Sequence, residues 1–117
     1  MDAAVLYWCH MTLDDLARII AERRGASAET SYTAKLLAGG VDRIGKKIGE
    51  EGAEFILAAK GGSKQEITHE AADLLYHALV LLESAGVPLT DIYAELDRRH
   101  RAPRATNNDA PPARCPE

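Results

Sequence analysis

From Ala71 to Leu82 the chain reads Ala-Ala-Asp-Leu-Leu-Tyr-His-Ala-Leu-Val-Leu-Leu, a run that is apolar on nearly every side when wound as a helix. Such a helix belongs in an interior, so the rest of the chain has to supply other helices to cover it. One polar line crosses the apolar cylinder. Glu66, Glu70, Asp73 and His77 follow one another at steps of four, three and four residues, which puts them on one side. An unpaired ionised carboxylate in that setting costs several kcal/mol and has to be paired, protonated or bound to a metal ion.

A second acidic group lies upstream, in Lys46-Lys47-Ile48-Gly49-Glu50-Glu51-Gly52-Ala53-Glu54. Helical spacing sets Glu51 beside Glu54, just as it sets Glu70 beside Asp73. Read alone, Glu50, Glu51 and Glu54 fit the solvated side of an amphipathic helix. Their phase argues otherwise, because Glu51 projects beside Ile44 and Phe55, at the edge of an apolar arc made by Val41, Ile44, Ile48, Phe55 and Ala59. Ion pairing with Lys46, Lys47 or an arginine is the other way to neutralise these acids, but two facing acidic pairs outnumber the nearby bases. Four carboxylates without a cysteine make an all-oxygen site, which suits Mg²⁺, or Mn²⁺, better than zinc. A hard ion of this kind points to phosphate chemistry, with Lys46 and Lys47 adding positive charge for the phosphates.

The remaining chain reads as helices and breaks. Thr12 has the form of an N-cap for a helix over about 13–24, whose apolar side is Leu13, Leu16, Ala17 and Ile20. Residues 26–31 are small and polar and predict a loop, with Thr30 or Ser31 capping a short helix through Ala38 that Gly39-Gly40 ends. Helical period resumes over 41–60 and stops at Gly61-Gly62. Ser63-Lys64-Gln65-Glu66 matches a capping box, so the next helix runs from about 64 to Ala85, where Gly86-Val87-Pro88 breaks it. A last helix opens near Thr90, with Ile92, Tyr93 and Leu96 on its apolar side, and ends around His100. No stretch has a strand pattern, so the expected fold is all-α, with 41–60 and 64–85 as an antiparallel hairpin. Val5 to Trp8 are expected to pack as an arm on an apolar surface. Residues 1–100 make a single domain, and 101–117, with four of the five prolines, a disordered tail.

Composition narrows the function. With 117 residues and 46% hydrophobic side chains there is material for one core and no second catalytic domain. Fourteen basic against 18 acidic residues, a formal charge of −4, argue against duplex nucleic acid as a partner, since phosphate neutralisation needs a basic face. Cys9 and Cys115 form neither a disulfide framework nor a zinc site. The apolar run Ala3 to Cys9 is too short to span a bilayer and follows Asp2 instead of a basic segment. The expectation is a soluble, cytoplasmic protein. The central helix shows more apolar surface than two short neighbours can cover, which predicts a homodimer.

Glu-Glu-x-x-Glu at 50–54, followed after fifteen residues by Glu-x-x-Asp at 70–73, resembles the motif of the all-α, MazG-like nucleoside triphosphate pyrophosphohydrolases. Within them, Ser31-Tyr32-Thr33-Ala34-Lys35-Leu36-Leu37, Gly40-Val41-Asp42-Arg43-Ile44-Gly45-Lys46-Lys47 and Glu70-Ala71-Ala72-Asp73-Leu74-Leu75-Tyr76-His77 are similar to the phosphoribosyl-ATP pyrophosphohydrolases of histidine biosynthesis. The likeness covers about residues 12 to 100. It implies a MazG-like helical bundle completed by homodimerisation, and Mg²⁺-dependent cleavage of the α–β phosphoanhydride of a nucleotide substrate, phosphoribosyl-ATP. By motif, Glu51, Glu54, Glu70 and Asp73 would hold the metal, and Glu50, Glu51 and Glu54 would carry the catalysis, Glu50 through a second ion or by orienting water. Lys47 and Lys46 would face the phosphates, and Tyr32 and Thr33 would position the substrate. Tyr76 and His77 are candidates for support behind the site, or for core packing.

Three other readings share these residues. A housekeeping pyrophosphohydrolase of deoxynucleoside triphosphates would use the same carboxylates. Glu66-Ile67-Thr68-His69 has the Glu-x-x-His spacing of a ferritin-like di-iron bundle, although no second such element accompanies it. A non-catalytic dimerisation module would need no metal at all.

Overall fold

The computed structural model describes residues 10–101. The arm at Val5 to Trp8, both cysteines and all of the tail beyond Arg101 lie outside the described residues. Helix α1 spans Leu13–Glu22 and passes into a 3₁₀ turn at Arg23–Gly25. Helix α2 spans Tyr32–Gly61, α3 Lys64–Ala85 and α4 Leu89–His100, with no strand among the described residues.

Local chemistry sets each boundary. Thr12 closes a full capping box on α1: its hydroxyl accepts the Asp15 N–H at 3.2 Å while Asp15 Oδ2 accepts the Thr12 N–H at 3.0 Å. Those bonds also hold the Asp15 carboxyl below its usual range, the backbone N–H of Thr12 contributing most. Ser31 caps α2 by accepting the Ala34 N–H at 3.2 Å. Ser63 does the same for α3 with the Glu66 N–H at 3.2 Å, and the Glu66 carboxylate lies over Gly62. Gly86, at φ 74° and ψ 25°, ends α3 in the left-handed conformation that a side chain disfavours.

The break expected at Gly39-Gly40 is a kink inside one hydrogen-bonded run. Gly40 alone leaves helical geometry, at φ 76° and ψ −172°, so α2 consists of a short first arm and a long second one. This lets the first arm lie against α3 at Tyr76 and His77 while the second carries Glu51 and Glu54 to Glu70. Helix α3 returns along α2 after only two linking residues, and these two helices share most of the tertiary packing.

The core is where the first arm of α2, the start of its second arm, α1 and the C-terminal half of α3 meet. Ile20, Leu36, Ile44, Leu79 and Val80 are buried there, with Leu16, Leu37, Ile48, Tyr76, Leu81, Leu82 and Leu89 packed around them. Arg24 fastens the 3₁₀ turn to the end of α3, its Nε 3.0 Å from Glu83 Oε1 and its Nη2 2.5 Å from the Glu83 carbonyl oxygen. That carbonyl, in the last turn of α3, also accepts the Gly86 N–H at 3.2 Å.

The burial differs from the sequence expectation in one respect. The apolar run of α3 is interior only towards its C-terminal end, at His77, Leu79 and Val80, whereas Leu75 is exposed. On α2, Ile44 is buried but Val41, Ile56 and Leu57 face outwards. The ten residues of α1 and the twelve of α4 cannot wrap a hairpin of this length, so a single chain leaves its outer face uncovered.

Candidate active site

Where α2 and α3 run side by side, Glu51, Glu54 and Glu70 bring carboxylate oxygens within 4.8 Å of one another. Glu51 and Glu54 are neighbours on α2 because they are three apart, and the antiparallel return of α3 delivers Glu70 to them. Glu51 is only 8% exposed, while Glu54 lies at the open edge of the same group. Oε2 of Glu51 and Oε2 of Glu70 are shut off from solvent and make no hydrogen bond. Among the described residues no other buried side-chain nitrogen or oxygen is left without a partner.

Asp73 meets this group through Glu70. It joins Glu70 and His69 in a second trio within 4.8 Å, with His69 Nε2 3.3 Å from Asp73 Oδ2. The two trios share Glu70, so Glu51 and Glu54 sit on one side of it and Asp73 and His69 on the other. Burial raises the Glu70 carboxyl above its ordinary value first of all, helped by the hydrogen bond and negative charge of Glu54, and opposed by His69. These groups fit a cation by their own chemistry: acceptor-only oxygens, two of them orphaned in the interior, on two helices whose spacing is already fixed.

Glu50 and the lysines lie outside both trios. Lys47 Nζ is 3.3 Å from Glu50 Oε2 on the same helix, a pair one turn long. Its ammonium is held above the usual lysine range chiefly by that hydrogen bond, then by Tyr32, with a smaller contribution from Glu51. Lys46 is exposed. Glu66, the first member of the polar line on α3, is also exposed and lines a surface groove with Glu54, Leu57, Ala58 and Glu70.

Tyr32 and Thr33, on the first arm of α2, both reach α3. The Tyr32 hydroxyl is 3.1 Å from His77 Nε2, and Thr33 is hydrogen-bonded to the Tyr76 hydroxyl. His77 Nδ1 in turn lies 2.8 Å from the Asp73 carbonyl oxygen. The rings form one aromatic group, with Tyr32 stacked on Tyr76 at 6.4 Å and the His77 ring edge-on to Tyr76 at 5.1 Å. Sequence spacing offers no sign of these pairs, which are 43 and 45 residues apart. His69 was legible only as half of a Glu-x-x-His element. Its place beside Asp73 follows from their four-residue separation on one face.

Comparison with known proteins bears on the same segment. The family model for phosphoribosyl-ATP pyrophosphohydrolase matches residues 13–100. The chain belongs to this family. A phosphoribosyl-ATP pyrophosphatase of Trichlorobacter lovleyi is 52% identical over 87 residues, covering 74% of this chain and 81% of the relative. One from Rhizorhabdus wittichii is 53% identical over 88 residues, covering 75% and 83%. A histidine biosynthesis bifunctional protein HisIE of Shewanella oneidensis is 52% identical over 92 residues, 79% of this chain but 44% of that longer protein. All four helices fall inside the matched segment, as the all-α expectation for phosphoribosyl-ATP pyrophosphohydrolases requires. No single helix among the described residues is long and apolar enough to cross a membrane.

Proposed function

We propose that this chain hydrolyses phosphoribosyl-ATP at the α–β phosphoanhydride, giving phosphoribosyl-AMP and pyrophosphate, as a step of histidine biosynthesis. Family membership and relatives named for this activity support the substrate. The observation that carries the chemistry is the pair of orphaned buried oxygens on Glu51 and Glu70. Glu51, Glu54 and Glu70, with Asp73 on the far side of Glu70, would hold Mg²⁺, which supplies charge neutralisation on the phosphates and acidifies water. Helices α2 and α3 hold these acids at fixed separation before substrate arrives, so little reorganisation is needed. Glu50 pairs with the Lys47 ammonium and directs it along α2, where it adds a positive charge for the phosphates. The half-exposed Tyr32 and its neighbour Thr33 position the substrate at the first arm of α2.

A homodimer completes the bundle in this reading. The support is an uncovered apolar face on the hairpin, with Ile56 61%, Leu57 67% and Leu75 46% exposed in the single chain. The deciding experiment is pyrophosphate release from phosphoribosyl-ATP against a panel of deoxynucleoside triphosphates, with and without Mg²⁺. Preference for phosphoribosyl-ATP and dependence on the ion are expected. Equal or faster release from the deoxynucleotides would replace the biosynthetic role with a housekeeping one.

A further inference from the structure

His77 is 5% exposed, and both of its ring nitrogens are engaged. The Asp73 carbonyl oxygen can only accept, so the proton of a neutral ring sits on Nδ1 and donates to it at 2.8 Å. Nε2 is then a lone pair, and the Tyr32 hydroxyl donates to it at 3.1 Å. This fixes more than the position of the phenol. A tyrosine hydroxyl normally serves either as donor or as acceptor, but here its one proton is committed to the interior. The side of Tyr32 that is open to solvent therefore offers lone pairs only. Thr33 and Tyr76, hydrogen-bonded beside it, hold the same arm of α2 against α3 by a second link, which fixes the backbone from which the phenol projects.

We propose that His77 is a positioning residue for substrate: by taking the Tyr32 proton it sets the phenol oxygen as an acceptor for a hydroxyl or amino donor of the ribonucleotide. The arrangement joins substrate grip to the carboxylate site by a short path, from Tyr32 through His77 to the backbone of Asp73, one helical turn away. It rests on the function proposed above, in that a nucleotide must bind at the first arm of α2. It also gives a physical reason for a histidine in this place, where a leucine would fill the core as well. Burial alone asks only that Nε2 find some partner; here that partner is the hydroxyl of a half-exposed ring from the first arm of α2, on the surface where substrate would bind.

The test is a kinetic cycle on phosphoribosyl-ATP with Tyr32→Phe, His77→Leu, the double variant and His77→Gln, each with a melting curve. Tyr32→Phe removes only an oxygen from an exposed ring and keeps the fold within reach of measurement. Loss of one such hydrogen bond is expected to raise KM about 3- to 10-fold, with a smaller fall in kcat. The double variant should be no worse than the more affected single one, because both remove the same link. His77→Gln, whose amide oxygen can still accept from Tyr32, should recover most of the loss. A merely structural histidine gives a different result: His77→Leu lowers Tm and the active fraction, hence apparent kcat, while KM stays put and Tyr32→Phe has an independent, additive effect. Either of those outcomes overturns the proposal. Wild-type protein that releases no pyrophosphate from phosphoribosyl-ATP would overturn the functional reading itself, and the positioning role with it.

Discussion

Glu51 of α2 and Glu70 of α3 face one another across the hairpin, each with one carboxyl oxygen removed from solvent and hydrogen-bonded to nothing. Folding has brought the two acids together without supplying a base for either orphaned oxygen. Their proximity therefore works against the isolated fold and in favour of whatever cation enters.

Replacing Glu51 by Gln should preserve the fold and remove function. The amide fills the same volume and relieves a buried charge, so thermal stability without metal is expected to be equal or higher. Activity with Mg²⁺ is expected to fall by about 100-fold or more, because a negative ligand is lost from the centre of the cluster. Steady-state pyrophosphate release and a melting curve on the same sample check both halves. Full activity in Glu51→Gln would remove this residue from the catalytic set.

The raised carboxyl of Glu70 makes a pH-dependent prediction for the metal-free protein. Its folded value lies above the ordinary 4.5, so its contribution to stability is complete below 4.5 and is lost as pH rises through the folded value. In chelator, wild type should thus lose stability relative to Glu70→Gln as pH rises above 4.5 and through the folded value, with the variant melting higher on the alkaline side. Adding Mg²⁺ should reverse the order, raising Tm of wild type and leaving Glu70→Gln nearly unmoved. Scanning fluorimetry across this range, with and without the ion, reads the crossover directly.

Gly40 is the hinge between the arms of α2, and nothing lies within 4 Å of where its side chain would start. The cost of Gly40→Ala is thus a backbone cost, from forcing a β-carbon into φ 76° and ψ −172°. We expect a loss of about 1–3 kcal/mol in urea denaturation. If Gly40→Ala were neutral, the kink would not be a fixed feature of the fold.

Covering the outer face of the hairpin is the remaining prediction. Ile56→Glu places a charge on a residue that is open in the single chain but buried if two hairpins pack together. Sedimentation or light scattering should find wild type as a dimer and this variant shifted towards monomer at micromolar concentration. A wild-type protein that is monomeric throughout would leave the apolar face for some other use.

The helices could be read from sequence because the signals that make them are local. Thr12, Ser31 and Ser63 bond to backbone groups three residues on, and Gly40 and Gly86 adopt conformations open to few other residues. The same locality placed Glu51 beside Glu54 and Asp73 beside Glu70, since three-residue neighbours share a face whatever surrounds the helix. It could not tell that the kink at Gly40 would carry Tyr32 to His77 and Thr33 to Tyr76, or that the two trios would share Glu70 as their common member. Nor could an apolar pattern say which half of α3 is covered within one chain, because Leu75 and Leu79 look alike in sequence. Those relations depend on how helices far apart along the chain are set against one another. Periodicity records which side of a helix seeks cover, and only packing decides what provides it.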